Sequence, residues 1–179
     1  MSIANKILPH YTYDDWIHWE GSWELIEGHP IAMSPVPIPG HQKISAKIIT
    51  VLSRALESSN CKHCSVYNFI DYRVEEDTIL QPDVLVVCKE ITEKYLDFAP
   101  SFVVEILSPA TALKDRHTKL EIYQQKRIAY YLIVDTDKEI VELFQLKNEA
   151  YELQPQKRVY DFIFEDGCMI KVDFSGIFY

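Results

Sequence analysis

Apolar positions recur along the chain with two spacings, which predict a mixed α/β fold. From His41 to about Ser58 they follow helical spacing, and a second helix is predicted from about Leu113 to Lys126. Between and after these helices lie short runs rich in β-branched residues, typical of strands: Ser65–Phe69, Tyr72–Glu75, Val84–Val87, Phe102–Leu107 and Ala129–Val134. Both helices are therefore expected to pack on a mixed central β-sheet.

Two further segments predict β-hairpins beside this sheet. Trp23–Ile26 and Ile31–Met33 flank the turn residues Glu27 and Gly28. Ile140–Leu146 and Ala150–Leu153 alternate in polarity on either side of a polar turn. A chain of 179 residues is long enough to bury a full core, so we expect one domain over residues 1–179.

Composition and charge narrow the class of protein. Hydrophobic residues make up 47% of the chain, and no apolar run approaches the length of a membrane span. The first residues are too polar for a secretory signal, so a cytoplasmic protein that does not enter membranes is expected. The net charge of −9 speaks against a protein that coats nucleic acid, although a local basic surface and a bound cation leave a nuclease open.

The chain has four cysteines: Cys61, Cys64, Cys88 and Cys168. In a cytoplasmic protein an even number of cysteines is no argument for disulfides. Cys61 and Cys64 have the spacing of a redox or zinc motif, but no second closely spaced pair accompanies them. A zinc or redox role for this pair is therefore the weakest of three hypotheses for function.

Two carboxylates coincide with predicted strands. Asp83 begins a strand directly after Pro82, where it could also cap a turn, and Glu105 interrupts an apolar run. Strand alternation places Glu105 on the same face as Val103 and Leu107. A buried carboxylate needs a partner, and both a structural ion pair and a divalent cation would serve.

The second predicted helix carries a lysine close to these carboxylates in sequence. Asp115, Lys119 and Tyr123 are spaced at i, i+4 and i+8, so they share one helical face. That face is either solvated, with a weak Asp115–Lys119 pair, or it directs Lys119 toward Asp83 and Glu105. Two carboxylates and one ammonium group are the minimum set for metal-assisted phosphodiester hydrolysis.

Taken in order, these motifs resemble the Uma-type restriction endonuclease family of the PD-(D/E)xK nuclease superfamily. The resemblance extends from about Thr12 through nearly the whole chain, and it rests on these segments: Trp23–Gly28, His41, Pro82–Asp83, Glu105–Pro109 with Thr111, Asp115, Lys119 and Tyr123, and Tyr130–Asp135. It implies a restriction endonuclease-like core, a mixed central β-sheet flanked by two main α-helices with additional β-hairpins.

The resemblance also implies a site and a reaction. Asp83, Glu105 and the backbone carbonyl of Ile106 would be metal ligands for Mg²⁺, with Mn²⁺ as a possible substitute. Leu107 stands where the superfamily usually has lysine, and Lys119 is taken to replace it. The expected activity is metal-dependent hydrolysis of DNA.

Further expectations concern supporting residues and assembly. Glu24 could supply a third carboxylate and His41 could contact phosphate or water, while their alternatives are a solvent-facing strand residue and a polar residue at a helix start. Asp115 and Tyr123 would support the site. Cleavage of both strands of a duplex predicts a homodimer. The alternative function is a nuclease-fold module that binds nucleic acid or protein without cleaving.

Overall fold

The computed structural model describes residues 8–33, 38–59 and 61–179. Its helices are α1 (Tyr13–Trp16), α2 (Pro39–Ser58) and α3 (Leu120–Gln125), and a π-helical turn over Lys114–Lys119 leads directly into α3. The strands are β1 (Trp23–Ile26), β2 (His29–Ala32), β3 (Ser65–Tyr67), β4 (Tyr72–Glu75), β5 (Thr78–Leu80), β6 (Val84–Val87), β7 (Phe102–Ile106), β8 (Tyr130–Asp135), β9 (Ile140–Lys147), β10 (Ala150–Leu153), β11 (Val159–Ile163) and β12 (Met169–Asp173).

A six-stranded sheet forms the centre of the molecule, in the order β10-β9-β8-β7-β6-β3. Strands β7 and β8 run parallel, whereas the other neighbours are antiparallel. A parallel pair needs a long crossover connection, and the π-helical turn with α3 provides it. The predicted mixed sheet flanked by helices is confirmed.

Smaller sheets complete the fold. Strands β2, β1, β5 and β4 form a four-stranded sheet, and β11 pairs with β12 in a hairpin. The predicted hairpins β1–β2 and β9–β10 are confirmed with shifts of one or two residues. Strands β5, β11 and β12 were not predicted from the sequence. Strand β5 has only three residues, whereas β11 and β12 alternate between exposed and buried positions, which is the signal that identifies them.

The two faces of the central sheet pack against different partners. On the apolar face, defined by Val84, Val86, Phe102, Val104 and Leu132, the sheet contacts α2 and the β11–β12 hairpin. On the opposite face, here called the charged face, it contacts α3. That face is defined by these residues: Leu85, Val87, Val103, Glu105, Tyr131 and Ile133.

Helix starts agree with the sequence signals. The backbone N–H of Thr12 donates a hydrogen bond of 2.9 Å to the Asp15 carboxylate, as in a capping box before α1. Helix α2 begins at Pro39, two residues before the predicted start, because proline fits the first helical position. Among the described residues no helix is long and apolar enough to cross a membrane.

The cysteines depart from the expectation. Cys61 is bonded to Cys168, and Cys64 is bonded to Cys88. In the sequence no second closely spaced pair accompanies Cys61 and Cys64. The fold instead brings Cys88 and Cys168 to them from two distant segments. Pairing of this kind depends on strand register, which the cysteine spacing does not encode.

Candidate active site on the charged face

The register of β6 and β7 brings two carboxylates together. Val84 pairs with Val104 in this antiparallel ladder, so Asp83 and Glu105 lie opposite each other at the next position. Asp83 lies where the pairing ends and is partly exposed, whereas Glu105 is buried within β7. The sequence prediction that these residues lie on neighbouring strands therefore agrees with the geometry.

Glu105 has two donors from the helical crossover. The Nζ atom of Lys119 lies 2.8 Å from its Oε1 atom, and the Tyr123 hydroxyl donates a hydrogen bond of 2.7 Å to the same oxygen. Lys119 is only 1% exposed and Asp115 is buried beside it, at 3.6 Å. The alternative of a solvated helical face is therefore wrong, and Lys119 does reach back to the strand carboxylate.

Glu24 joins the same cluster from β1. Its side chain is 0% exposed, which excludes the solvent-facing alternative. Its Oε1 atom lies 2.7 Å from Lys119 Nζ and accepts a hydrogen bond of 2.9 Å from the Gln81 backbone N–H. Its other carboxylate oxygen pairs with Lys114. Lys119 thus bridges Glu24 and Glu105.

The π-helical turn explains how two lysines reach one carboxylate. Lys114 and Lys119 are five residues apart, which places them on different sides of a regular α-helix. In a π-helix the hydrogen bonds join residues five apart, so both side chains point the same way. The Tyr131 hydroxyl donates a hydrogen bond of 2.9 Å to the Asp115 carbonyl. This bond fixes the π-helical turn on the sheet.

Asp83 is held by two donors of its own. The Ile106 backbone N–H donates a hydrogen bond of 2.7 Å to Asp83 Oδ2, and His41 Nε2 lies 3.2 Å from the same oxygen. Within the described part of the chain no hydrogen-bond partner reaches the buried Nδ1 atom of His41. His41 therefore lies in the first turn of α2, as predicted, and it contacts Asp83.

The two buried glutamates respond differently to similar surroundings. Burial raises the pKa of Glu24, but Lys119 and Lys114 outweigh it and hold the pKa below its ordinary value of 4.5. Burial raises the pKa of Glu105 well above 4.5, because Lys119 lowers it by less than burial raises it and the nearby carboxylates of Asp115, Asp83 and Glu24 also oppose ionisation. Glu105 thus has less charge compensation than Glu24.

The pKa values of two basic groups of the site are raised. Burial alone would lower the pKa of Lys119, but the surrounding carboxylates, Glu105 first, raise it well above 10.5. Burial likewise acts to lower the pKa of His41, yet the hydrogen bond and charge of Asp83 raise it above 6.5. Desolvation raises the pKa of Asp115.

The charge balance of the site fits a divalent cation. Four carboxylates, those of Glu24, Asp83, Glu105 and Asp115, face two lysines and one histidine. Carboxylate and carbonyl oxygens are the donors that Mg²⁺ and Mn²⁺ prefer. Asp83, Glu105 and the Ile106 peptide are adjacent, so this donor set suits the cation that the sequence predicted.

Three residues that contribute to the candidate site were not predicted from the sequence. Lys114 could be recognised only with the π-helical turn, since regular helical spacing separates it from Lys119. Gln81 contributes through its backbone, which leaves no side-chain signal. Tyr131 lay in a strand predicted from an apolar run. That position was the available signal, because the hydroxyl of a buried tyrosine usually has a hydrogen-bond partner.

Comparison with solved structures defines the class of fold. The chain superposes on a crystal structure from Anabaena variabilis ATCC 29413, described as a "putative nuclease belonging to DUF820". The TM-score is 0.72 at 16% identity, and the match covers 94% of this chain and 97% of that chain. This likeness shows the fold, and the predicted restriction endonuclease-like α/β core is confirmed.

Sequence comparison defines the family. The chain belongs to the Uma2 family, described as "Putative restriction endonuclease", whose sequence model matches residues 11–166. It is also similar to the uncharacterized protein slr1290 of Synechocystis sp. (strain ATCC 27184 / PCC 6803 / Kazusa). That relative is 27% identical over 149 residues, which cover 79% of this chain and 77% of the relative.

Proposed function

We propose that the protein is a metal-dependent endonuclease that hydrolyses DNA phosphodiester bonds. The observation that carries the proposal is the position of Lys119, whose ammonium lies 2.8 Å from Glu105, opposite Asp83 in the β6–β7 ladder. The description of the Uma2 family supports a nuclease activity. Asp83, Glu105 and the Ile106 carbonyl would hold Mg²⁺, with Mn²⁺ as a substitute.

The residues of the chain divide the chemistry between them. When bound, the cation would polarise the scissile phosphate and lower the pKa of a water molecule. Lys119 would orient the attacking water and offset the negative charge that develops on phosphorus oxygens. The Ile106 N–H and His41 hold Asp83 in place.

The replacement of the usual strand lysine has a structural basis. Leu107 is nearly buried in the core of the charged face, and the ammonium of Lys119 lies next to Glu105, two residues before Leu107 in sequence. Glu24 acts as a positioning residue, because it pairs with both Lys119 and Lys114 without facing solvent. Asp115 and Tyr123 complete the support of Lys119 and Glu105.

Nicking of supercoiled plasmid in Mg²⁺ or Mn²⁺ tests the proposal. Glu105→Gln and Lys119→Met are each expected to reduce cleavage by at least about 10²-fold. His117→Ala is the matched control, because His117 lies in the same helical turn but is exposed. If the wild type cleaves the plasmid and both variants retain that cleavage, the proposed site is wrong.

A second outcome separates the two functions. If the wild type cleaves neither duplex nor single-stranded DNA nor RNA in either metal, the protein is a non-cleaving nuclease-fold module. The acidic chain, with a net charge of −9, favours that reading. Comparison of these substrates also tests the choice of DNA, and sedimentation of the protein with and without duplex tests the predicted homodimer.

A further inference from the structure

The four cysteines gather on the side of the sheet away from the carboxylates. Cys61 and Cys64 follow the end of α2, Cys88 follows β6, and Cys168 precedes β12. All four belong to the buried cluster of the apolar face. The proposed nuclease site uses none of them, so their arrangement needs a separate explanation.

Strand register explains why Cys64 and Cys88 meet. Ser65 pairs with Val87 in the antiparallel β3–β6 ladder, so Cys64 and Cys88 occupy the next opposed position. Their Cα atoms are 3.9 Å apart and their sulfur atoms form a disulfide. Both sulfurs therefore project from backbone that the sheet holds in place, whichever oxidation state they have.

A third side chain with a metal-binding atom lies beside this pair. Each of His63, Cys64 and Cys88 offers one ligand atom, and the three atoms lie within 4.8 Å of one another. Two thiolates and one imidazole are the donors that zinc prefers, and a fourth position is then left for water. His63 is exposed, whereas the sulfurs are buried, so the metal would lie at the edge of the core.

The other cysteine pair has a different role. Among the described residues, Cys61 and Cys168 are not part of this group of converging ligand atoms. Their disulfide joins the end of α2 to the turn of the β11–β12 hairpin, two elements that pack on the same face. It is a cross-link between packed elements and offers no third donor.

We propose that Cys64, Cys88 and His63 form a zinc site in the reduced protein, and that the Cys64–Cys88 disulfide is the metal-free, oxidised form of that site. A dithiol opens the disulfide by transferring two electrons and two protons to the cysteine sulfurs, and is itself oxidised to a disulfide. Zinc binding then displaces the two thiol protons. Reducing compartments favour the zinc form.

Metal titration of the full-length protein tests this proposal. The protein is reduced with a phosphine and titrated with Zn²⁺ or Co²⁺ in excess Mg²⁺, which occupies oxygen-donor sites. We expect about one zinc ion per chain and the thiolate-to-cobalt charge-transfer absorption of a two-sulfur site. Oxidation to the disulfide should abolish both signals.

Single substitutions identify the ligands. Cys64→Ser and Cys88→Ser should each lose zinc, and His63→Ala should weaken binding at least about tenfold, because it removes one of three donors. Cys168→Ser is the matched control, since Cys168 is a buried cysteine outside the group of three converging ligand atoms and its loss should leave zinc binding unchanged. His63→Ala changes an exposed side chain and therefore remains informative if a cysteine variant fails to fold.

Three results would overturn the proposal. Reduced wild-type protein could bind no zinc, His63→Ala could bind it as tightly as the wild type, or Cys168→Ser could lose it as completely as Cys88→Ser. The last result would indicate a four-cysteine site instead. None of these results bears on phosphodiester cleavage, which is measured separately.

Discussion

The two faces of the central sheet are built from the same strands but contain different chemistry. On the apolar face, β7 contributes Phe102, Val104 and Ile106, which pack with α2 and the β11–β12 hairpin. On the charged face, the same strand contributes Val103 and Glu105. The apolar face shows that these strands can be buried without ions, so the fold alone does not require the costly cluster around Glu105, and this supports the proposed function.

The largest loss of stability is expected from Lys119→Met, on the charged face. This change leaves Glu24 and Glu105 without their shared ammonium, so the free energy of unfolding should fall by about 3–5 kcal/mol. Urea denaturation at neutral pH measures it. Lys114→Met is the matched control: Glu24 keeps Lys119 as a partner, so we expect a smaller loss of about 1.5 kcal/mol. Equal losses for the two lysines would contradict the bridging role of Lys119.

Phe162→Ala probes the apolar face in the same way. Phe162 is fully buried and stacks on Phe102 at 4.9 Å, so its truncation should cost about 3 kcal/mol. Because Phe162 packs against Phe102 and not against the carboxylates of the proposed site, cleavage of plasmid by the folded variant should stay at the wild-type rate. Loss of cleavage without unfolding would show that the faces are not separate in function.

Glu24→Gln should show a pH-dependent effect. The pKa of Glu24 lies below its ordinary value of 4.5 in the folded protein, so its charge stabilises the fold above pH 4.5. That contribution is lost as the pH falls through the lowered pKa. We therefore expect the variant to be less stable by about 2 kcal/mol at neutral pH. The difference should shrink in thermal unfolding below pH 4.5, and a constant difference would argue against an ionised Glu24.

Tyr123→Phe should have a smaller effect on stability than Lys119→Met, Phe162→Ala or Glu24→Gln. It removes the hydroxyl that donates to Glu105, and we expect a loss of about 1.5 kcal/mol in urea denaturation. Tyr131→Phe is the matched control, because its hydroxyl donates to the neutral Asp115 carbonyl and should be worth about 1 kcal/mol. If Tyr131→Phe lost more unfolding free energy than Tyr123→Phe, the hydrogen bond to Glu105 would not be the stronger of the two.

The sequence predicted the fold because most elements carry a clear local pattern. The helical period in α2 and the buried runs of β6, β7 and β8 predicted helices on a mixed sheet, and the residues Asp83, Glu105 and Lys119 were named from the same patterns. These are features of single elements, which local periodicity can reveal.

Contacts between elements were harder to predict. The burial of Glu24 depends on how β1 packs against the helical crossover, and the contribution of Lys114 depends on a π-helical turn. The pairing of Cys64 with Cys88 depends on the register of β3 with β6. None of these follows from spacing within one segment, so tertiary structure was needed.

Titration of Mn²⁺ binding by electron paramagnetic resonance tests the central claim most directly. If the surplus carboxylates of the charged face hold a divalent cation, the wild type should bind about one Mn²⁺ per chain in competition with Mg²⁺. Asp83→Asn and Glu105→Gln should each abolish this binding, and Phe162→Ala should retain it. Binding that survives both carboxylate substitutions, or a wild type that binds no Mn²⁺, would contradict the account.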